Sequence, residues 1–335
     1  MFYEMKAAFI VAPKKFEIRD VEMPTINENE MLVRIGACGV CMSDTPAYLD
    51  TWSEARKKDR PFPRRVGHEP SGTVVEVGKN VQDYQKGDKI TGVFGMGCFT
   101  EYVKCQPSLQ FVPGSRTVIA KIPDGVAIEY AMGEPLMDSV SHAEVASPIF
   151  GDYVFQVGVG FMGLCALAGI AQMKGLKEYI VCDLDDSRLQ LAKELGATRV
   201  LNSRNVDVVK EVMDITGGRG VDVAIEAVGH PIGLHLVGAV IKRGKGKIIS
   251  IGWHQAPDTY DLFDWIKSPI IYSPQGSALS PHPEECLPRA MWAVKKGIYP
   301  MEKLVTHKYK FEDIDKAFQD AIGRTPGYIK GVVMP

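Results

Sequence analysis

The chain has 335 residues, 45% of them apolar and 24% charged, with 39 Lys and Arg against 41 Asp and Glu for a formal charge of −2. That profile belongs to a folded globular protein of about two domains, and it excludes disorder, collagen and extended coiled coil. The near-zero charge lacks the broad attraction that nucleic acid or an anionic membrane requires, so neither is expected as a partner. The N-terminal segment carries no secretory signature, and the odd set of seven cysteines shows no disulfide framework, so a cytoplasmic location with reduced thiols is expected.

In chain order, the first hundred residues are short valine-rich runs separated by glycine turns. MKAAFIVA, KFEIRDVEM, MLVRIGACGV, SGTVVEVG and DKITGVF each predict a strand in a mainly antiparallel β domain. From about residue 150 strands alternate with helices: YVFQVGV and a helix to Lys174, EYIVCDL and DSRLQLAKELGA, TRVLNS and NVDVVKEVMDITGG, VDVAIEAV and a helix to Lys242, then GKIISIGW and IIYSPQG. Such alternation predicts a parallel sheet covered by helices. Helices are expected again around PEECLPRAMWAVKKG and FEDIDKAFQDAIG, and no linker separates this tail, so it is expected to fold back onto the first domain. Residues 154–173 hold no charge over a membrane-spanning length, but their glycine spacing predicts a strand, a turn and a helix instead.

The glycines Gly158, Gly160 and Gly163 in GVGFMG stand at GxGxxG spacing between a predicted strand and a predicted helix. The first makes the turn, the second admits a pyrophosphate, and the third allows close packing, while the N–H groups around Phe161 and Met162 open the helix toward an anion. Asp183 ends the next predicted strand, 20 residues beyond Gly163. Its carboxylate suits the two ribose hydroxyls of NAD and repels the 2′-phosphate of NADP.

Cys41, His68 and Glu69 supply sulfur, nitrogen and oxygen donors suited to zinc. On residue types alone, a buried thiol and a satisfied histidine account better for the first two. The pattern Gly67-His68-Glu69, Gly72, Gly78 and Val81 stands with GVCMSD before it and GEPL at 133–136. The glycine fingerprint and LVTHKYKFEDIDKAF follow in order. Together, over essentially the whole chain, these strings resemble the zinc-dependent medium-chain alcohol dehydrogenase family, closest to its sorbitol (polyol) and threonine dehydrogenase branch.

The resemblance implies an α/β protein with a GroES-like, mainly β catalytic domain over 1–145 and 276–335, interrupted by a doubly wound, NAD-binding Rossmann domain over 146–275. It implies that Cys41 and His68 bind a catalytic Zn2+. Glu69 is then a ligand or an exchangeable near-ligand, and Glu134 is the remaining ligand or holds the water bound there. Ser43 matches the family's proton-relay hydroxyl, with a turn serine as the alternative. Arg188 matches a position beside the adenosine and Lys330 one that approaches the pyrophosphate, each with a solvated surface charge as the alternative.

Two departures stand out. The histidine that passes the proton outward is replaced by Pro46, leaving water or Tyr48 for that step, and the four-cysteine lobe of a structural zinc is absent, so one zinc per chain is expected. The segment ARKKDRPFPRR at 55–65 carries six basic residues and one acid between two candidate ligands. It is either a solvated surface run or, through Arg64 and Arg65, a clamp for a phosphorylated or acidic substrate. The expected activity is oxidation of a secondary alcohol of a polyol, cyclitol or sugar derivative by NAD, in a homo-oligomer (dimer or tetramer). A threonine-type amino-alcohol dehydrogenase and a non-catalytic nucleotide binder are the alternatives.

Overall fold

The valine-rich runs of the first third form strands β1 (Glu4–Ala12), β2 (Lys15–Glu22), β3 (Met31–Gly39), β4 (Pro70–Val77), β5 (Lys89–Val93), β6 (Tyr102–Cys105) and β7 (Val118–Lys121). This is seen in a computed structural model that describes residues 4–107, 118–173, 175–254, 266–273 and 283–335. Two short helices, α1 (Thr45–Leu49) and α2 (Glu54–Asp59), and the longer α3 (Gly133–Ala146) lie between or after them. None of these three was expected from the sequence.

The chain divides into two units, Met1–Met137 with His282–Pro335, and Asp138–Pro281. The sequence-based boundary at 275/276 lies outside the described residues. In the first unit β1 and β2 form a hairpin, and a seven-membered sheet runs β14-β15-β3-β4-β5-β7 with β6 beside β3. Its pairings are antiparallel except between β14 (Val305–Lys310) and β15 (Lys330–Met334). The tail belongs to the first unit, because Val332 and Val333 of β15 pair with Gly39 and Cys38 of β3. The tail also supplies α8 (Pro283–Lys295), α9 (Met301–Leu304) and α10 (Ile314–Gly323).

Phe318 of α10 packs on Phe16, Tyr48 and Phe99 with ring centroids 5.0, 5.0 and 5.7 Å away. Each such aromatic pair contributes about 0.5–1.5 kcal/mol beyond its area. Asp315, one turn earlier, accepts from Phe16 N–H and Tyr48 O–H. The proposed relay role of Tyr48 is corrected here: its ring is 1% exposed and its hydroxyl donates to Lys14 C=O and Asp315, so it is committed to the core. Burial, then Asp315, pushes its pKa up to about 12.

The second unit holds β8 (Tyr153–Val157), α4 (Phe161–Ile170), β9 (Glu178–Asp183), α5 (Asp186–Glu194), β10 (Arg199–Asn202), α6 (Val208–Ile215), β11 (Val223–Glu226), α7 (Pro231–Val240), β12 (Lys247–Ser250) and β13 (Ile270–Tyr272). The six strands are all parallel, in the order β10-β9-β8-β11-β12-β13. Every residue of β8 is buried, as a central parallel strand covered on both faces requires. Asp185 and Asp207 cap α5 and α6 by accepting first-turn N–H bonds. The uncharged stretch of 154–173 resolves into β8, the glycine turn and the ten residues of α4, and among the described residues no helix is long and apolar enough to cross a membrane.

Candidate metal centre and nucleotide site

Three neighbouring strands converge to build the candidate metal site. β3 ends at Gly39 and delivers Cys41 two residues later, and β4 begins just after Glu69, where Cys38 and Pro70 are in register. Gly39 N–H donates to Glu69 C=O at 3.0 Å, and Val40 N–H to Gly331 C=O of β15 at 2.9 Å. Glycine is required at 39 by proximity, since a Cβ there would stand 1.9 Å from Glu69 Oε2.

The ligand atoms of Cys41, His68 and Glu69 all lie within 4.8 Å of one another. Ser43, in the tight 3₁₀ turn Met42–Asp44, donates its hydroxyl to Cys41 Sγ at 3.1 Å and lies 3.3 Å from His68 Nε2. Its hydroxyl makes no local backbone bond of the kind a turn serine uses.

Sequence reasoning missed Asp44. Its carboxylate is 3% exposed and faces His68 Nδ1 at 3.3 Å, the arrangement that aims the other ring nitrogen of a metal-ligating histidine. Burial alone would lower the His68 pKa, but Asp44 and then Cys41 beside the ring outweigh it and raise the pKa well above its ordinary value. Burial pushes the Glu134 carboxyl up to about 7, with His68 opposing and Glu69 reinforcing the rise. Glu134 sits in the first turn of α3, close enough to feel those groups but outside the three-residue cluster.

The cluster fits a divalent ion. One soft and two harder donors lie within 4.8 Å of one another, and one of the carboxylate oxygens, Glu69 Oε2, is buried without a well-formed hydrogen bond. Cys38, which stands with Cys41 in the string Cys38-Gly39-Val40-Cys41, is fully buried, and that burial raises its thiol pKa well above the ordinary value.

Lys330 departs from its expected place. Its ammonium is buried against Glu69, 2.8 Å from Oε1 and 2.6 Å from Oε2. Burial lowers its pKa, but Glu69 more than reverses that.

The clamp proposed for Arg64 is likewise corrected. Arg64 is 5% exposed, bonded to Asp50 at 2.7 Å and to the carbonyls of Arg60 and Ala47, and stacked on Phe62 and Trp52. Arg65 is exposed and donates to Gly97 C=O. Lys57 pairs with Asp50 and Glu54, while Lys58 and Arg60 lie on the surface.

In the second unit the glycine turn connects β8 to α4 at the point where strand order reverses between β8 and β11, the place where such sheets bind nucleotides. Gly158 has φ +93°, and a Cβ on Gly163 would stand 2.4 Å from Gly158 C=O. Gly160 begins α4 with no side-chain cap, and a Cβ there would meet nothing within 4 Å, which leaves the helix N-terminus around Phe161 and Met162 open to an anion. Gln156, also missed from sequence, fixes the turn: its buried amide donates to Gly158 and Gly163 carbonyls and accepts from Tyr179 O–H.

Asp183 ends β9, where Oδ2 accepts from Val159 N–H at 2.8 Å and Oδ1 from Leu184 and Asp185 N–H. The carboxylate is thus held against the turn by three backbone donors. Arg188 lies over the α5 cap, its Nε 4.0 Å from Asp185 Oδ2.

A mixed-donor metal cluster in a mainly β unit and a dinucleotide turn in a parallel unit define a metal-assisted nicotinamide oxidoreductase. The family models for the alcohol dehydrogenase GroES-like domain and the zinc-binding dehydrogenase match residues 27–116 and 162–284. The chain is 32% identical to an L-threonine 3-dehydrogenase of Pyrococcus horikoshii over 90% of this chain and 91% of that one. It is 28% identical to a sorbitol dehydrogenase of Bacillus subtilis over 99% and 97%. The solved structure of an Escherichia coli oxidoreductase/dehydrogenase of unknown specificity superposes with a TM-score of 0.86 at 23% identity, covering 99% of each chain. The chain belongs to the zinc-dependent medium-chain alcohol dehydrogenase family, and it is an enzyme of that family acting on an alcohol with zinc and a nicotinamide cofactor.

Proposed function

We propose that this enzyme oxidises a secondary alcohol of a polyol, cyclitol or sugar derivative with NAD, using one catalytic zinc per chain. The observation that carries the reading is the convergence of Cys41, His68 and Glu69, with the Ser43 hydroxyl within 3.3 Å of two of them. Cys41 and His68 would hold the zinc, with Glu69 and Glu134 as the carboxylates that complete or exchange in its shell. Zinc, when bound, polarises the substrate hydroxyl and lowers its pKa toward neutrality, which lets the carbon release hydride to the nicotinamide.

Asp44 orients His68, and Ser43 takes the alcohol proton. With Pro46 and a core-bound Tyr48 beyond it, water carries that proton onward. Replacing Ser43 by alanine should lower turnover by about 10²–10⁴-fold while leaving NADH affinity within about twofold. Steady-state kinetics beside a fluorescence titration checks this, and normal turnover would remove Ser43 from the relay.

NAD is favoured over NADP because Asp183 stands at the end of β9 with its carboxylate turned to the glycine turn. Asp183→Ala should weaken NAD binding by about tenfold or more and narrow the preference against NADP. An unchanged NAD/NADP ratio of kcat/KM would contradict the role. Gly158, Gly160, Phe161, Met162 and Gly163 would receive the pyrophosphate, and Arg188 would flank the adenosine.

A neutral substrate is favoured over an anionic one, because Arg64 is spent inside the fold. The similarity to a threonine dehydrogenase supports an amino alcohol as the second reading. A homo-oligomer joined through the second unit is supported by edge strand β13, whose Ile270, Ile271 and Tyr272 are 47%, 38% and 40% exposed. The test of the function is NADH formation by zinc-loaded enzyme with matched neutral and phosphorylated polyols, sugars and threonine, repeated after chelation. Chelator-sensitive oxidation of a neutral polyol or cyclitol supports the reading, and oxidation of threonine alone replaces it.

A further inference from the structure

Glu69 stands under two claims at once. It precedes β4 and Lys330 opens β15, and both strands flank β3 in one sheet. That adjacency joins residues 261 positions apart, with the ammonium within 2.8 Å of both carboxylate oxygens. Glu69 is 1% exposed and Lys330 5%, and the missing side chain at Gly39 leaves the carboxylate just enough room. The same carboxylate also supplies the oxygen of the three-donor cluster with Cys41 and His68. One buried anion therefore serves two cation positions.

We propose that Lys330 is a positioning residue that competes with the metal for Glu69, and so sets how tightly the metal is held and how many ligands it carries. The inference rests on the metal site proposed above. A buried carboxylate released from a metal is costly unless another cation receives it. Lys330 is that cation, already in contact, so Glu69 can leave the metal without becoming an isolated charge. Without Lys330 no other ammonium or guanidinium among the described residues meets Glu69, so the carboxylate has no cation to receive it away from the metal and stays bound.

The test compares wild type, Lys330→Met, Lys330→Arg, Glu69→Gln and the double variant Glu69→Gln/Lys330→Met, each purified with zinc or cobalt(II) in place. The readouts are the half-time of metal loss to a chelator and the visible spectrum of the cobalt form, whose absorption weakens as coordination rises above four. Lys330→Met should slow metal loss by about tenfold or more and weaken the cobalt bands, while Lys330→Arg stays near wild type. In the Glu69→Gln background the same lysine change should shift the half-time by less than about twofold, since the pathway through Glu69 is gone.

Wild-type half-times and spectra in Lys330→Met overturn the proposal, as does an equal slowing in both backgrounds, which would mark a general charge effect. Should Lys330→Met fail to fold, Lys330→Gln isolated in the metal-loaded form serves the same comparison. A wild-type protein that retains no metal overturns the parent reading instead, and this inference with it.

Discussion

Replacing His68 by alanine is expected to lower alcohol oxidation by at least about 10³-fold, since Lewis-acid stabilisation contributes several kcal/mol and each 1.4 kcal/mol is a factor of ten. The loss should come with loss of bound zinc. His68 supplies the nitrogen donor of the cluster, and Asp44 is placed to hold that ring and no other. Cofactor affinity should be nearly unchanged, because the glycine turn, Gln156 and Asp183 belong to a unit with its own sheet. Paired measurements of zinc content, turnover and NADH binding check this. A His68→Ala enzyme with more than about a tenth of wild-type turnover would show that the ring is not a ligand.

Arg64→Glu should destabilise the first unit by about 3–5 kcal/mol, the usual cost of breaking a buried charge pair. The new carboxylate would face Asp50 and two backbone carbonyls that now accept from the guanidinium. Arg65→Glu loses one carbonyl bond from an exposed side chain and should cost about 1 kcal/mol or less. Trp52 reports the difference, since the Arg64 guanidinium lies 4.8 Å from its ring centroid and urea unfolding can be followed by its fluorescence. Equal stability of the two variants, with a raised KM for phosphorylated substrates in Arg64→Glu, would restore the clamp that the burial of Arg64 argues against.

The contrast between these arginines shows what a sequence can carry. Residues 55–65 reveal a dense basic run, but which guanidinium turns inward depends on Trp52, Phe62 and Asp50 packing around it. The parallel unit was legible because each of its signals is local: buried strand, glycine turn, capped helix and a carboxylate at the next strand end. The clustering of Cys41, His68 and Glu69 was legible through the spaced strings around Cys41 and His68 rather than through residue types alone.

Asp44, Gln156 and the seat of Lys330 were not legible in this way. Asp44 sits inside GVCMSD, yet its role appears only when the 3₁₀ turn directs it at a histidine 24 residues away. Gln156 lies in an apolar strand and acts through a turn formed after it. Lys330 meets Glu69 only because β15 and β4 both flank β3, a pairing that no window of sequence contains. Helix α3, which carries Glu134 in its first turn, was missed because its moderate apolar periodicity sits among small and polar residues.

The most direct test of the account is X-ray absorption at the zinc edge of the purified holoenzyme, with metal content measured on the same sample. One zinc per chain is expected, with a single sulfur at about 2.3 Å from Cys41 and the remaining shell of nitrogen and oxygen at about 2.0–2.2 Å. A second tightly held zinc, or a shell of several sulfurs, would contradict a site built from Cys41, His68 and Glu69.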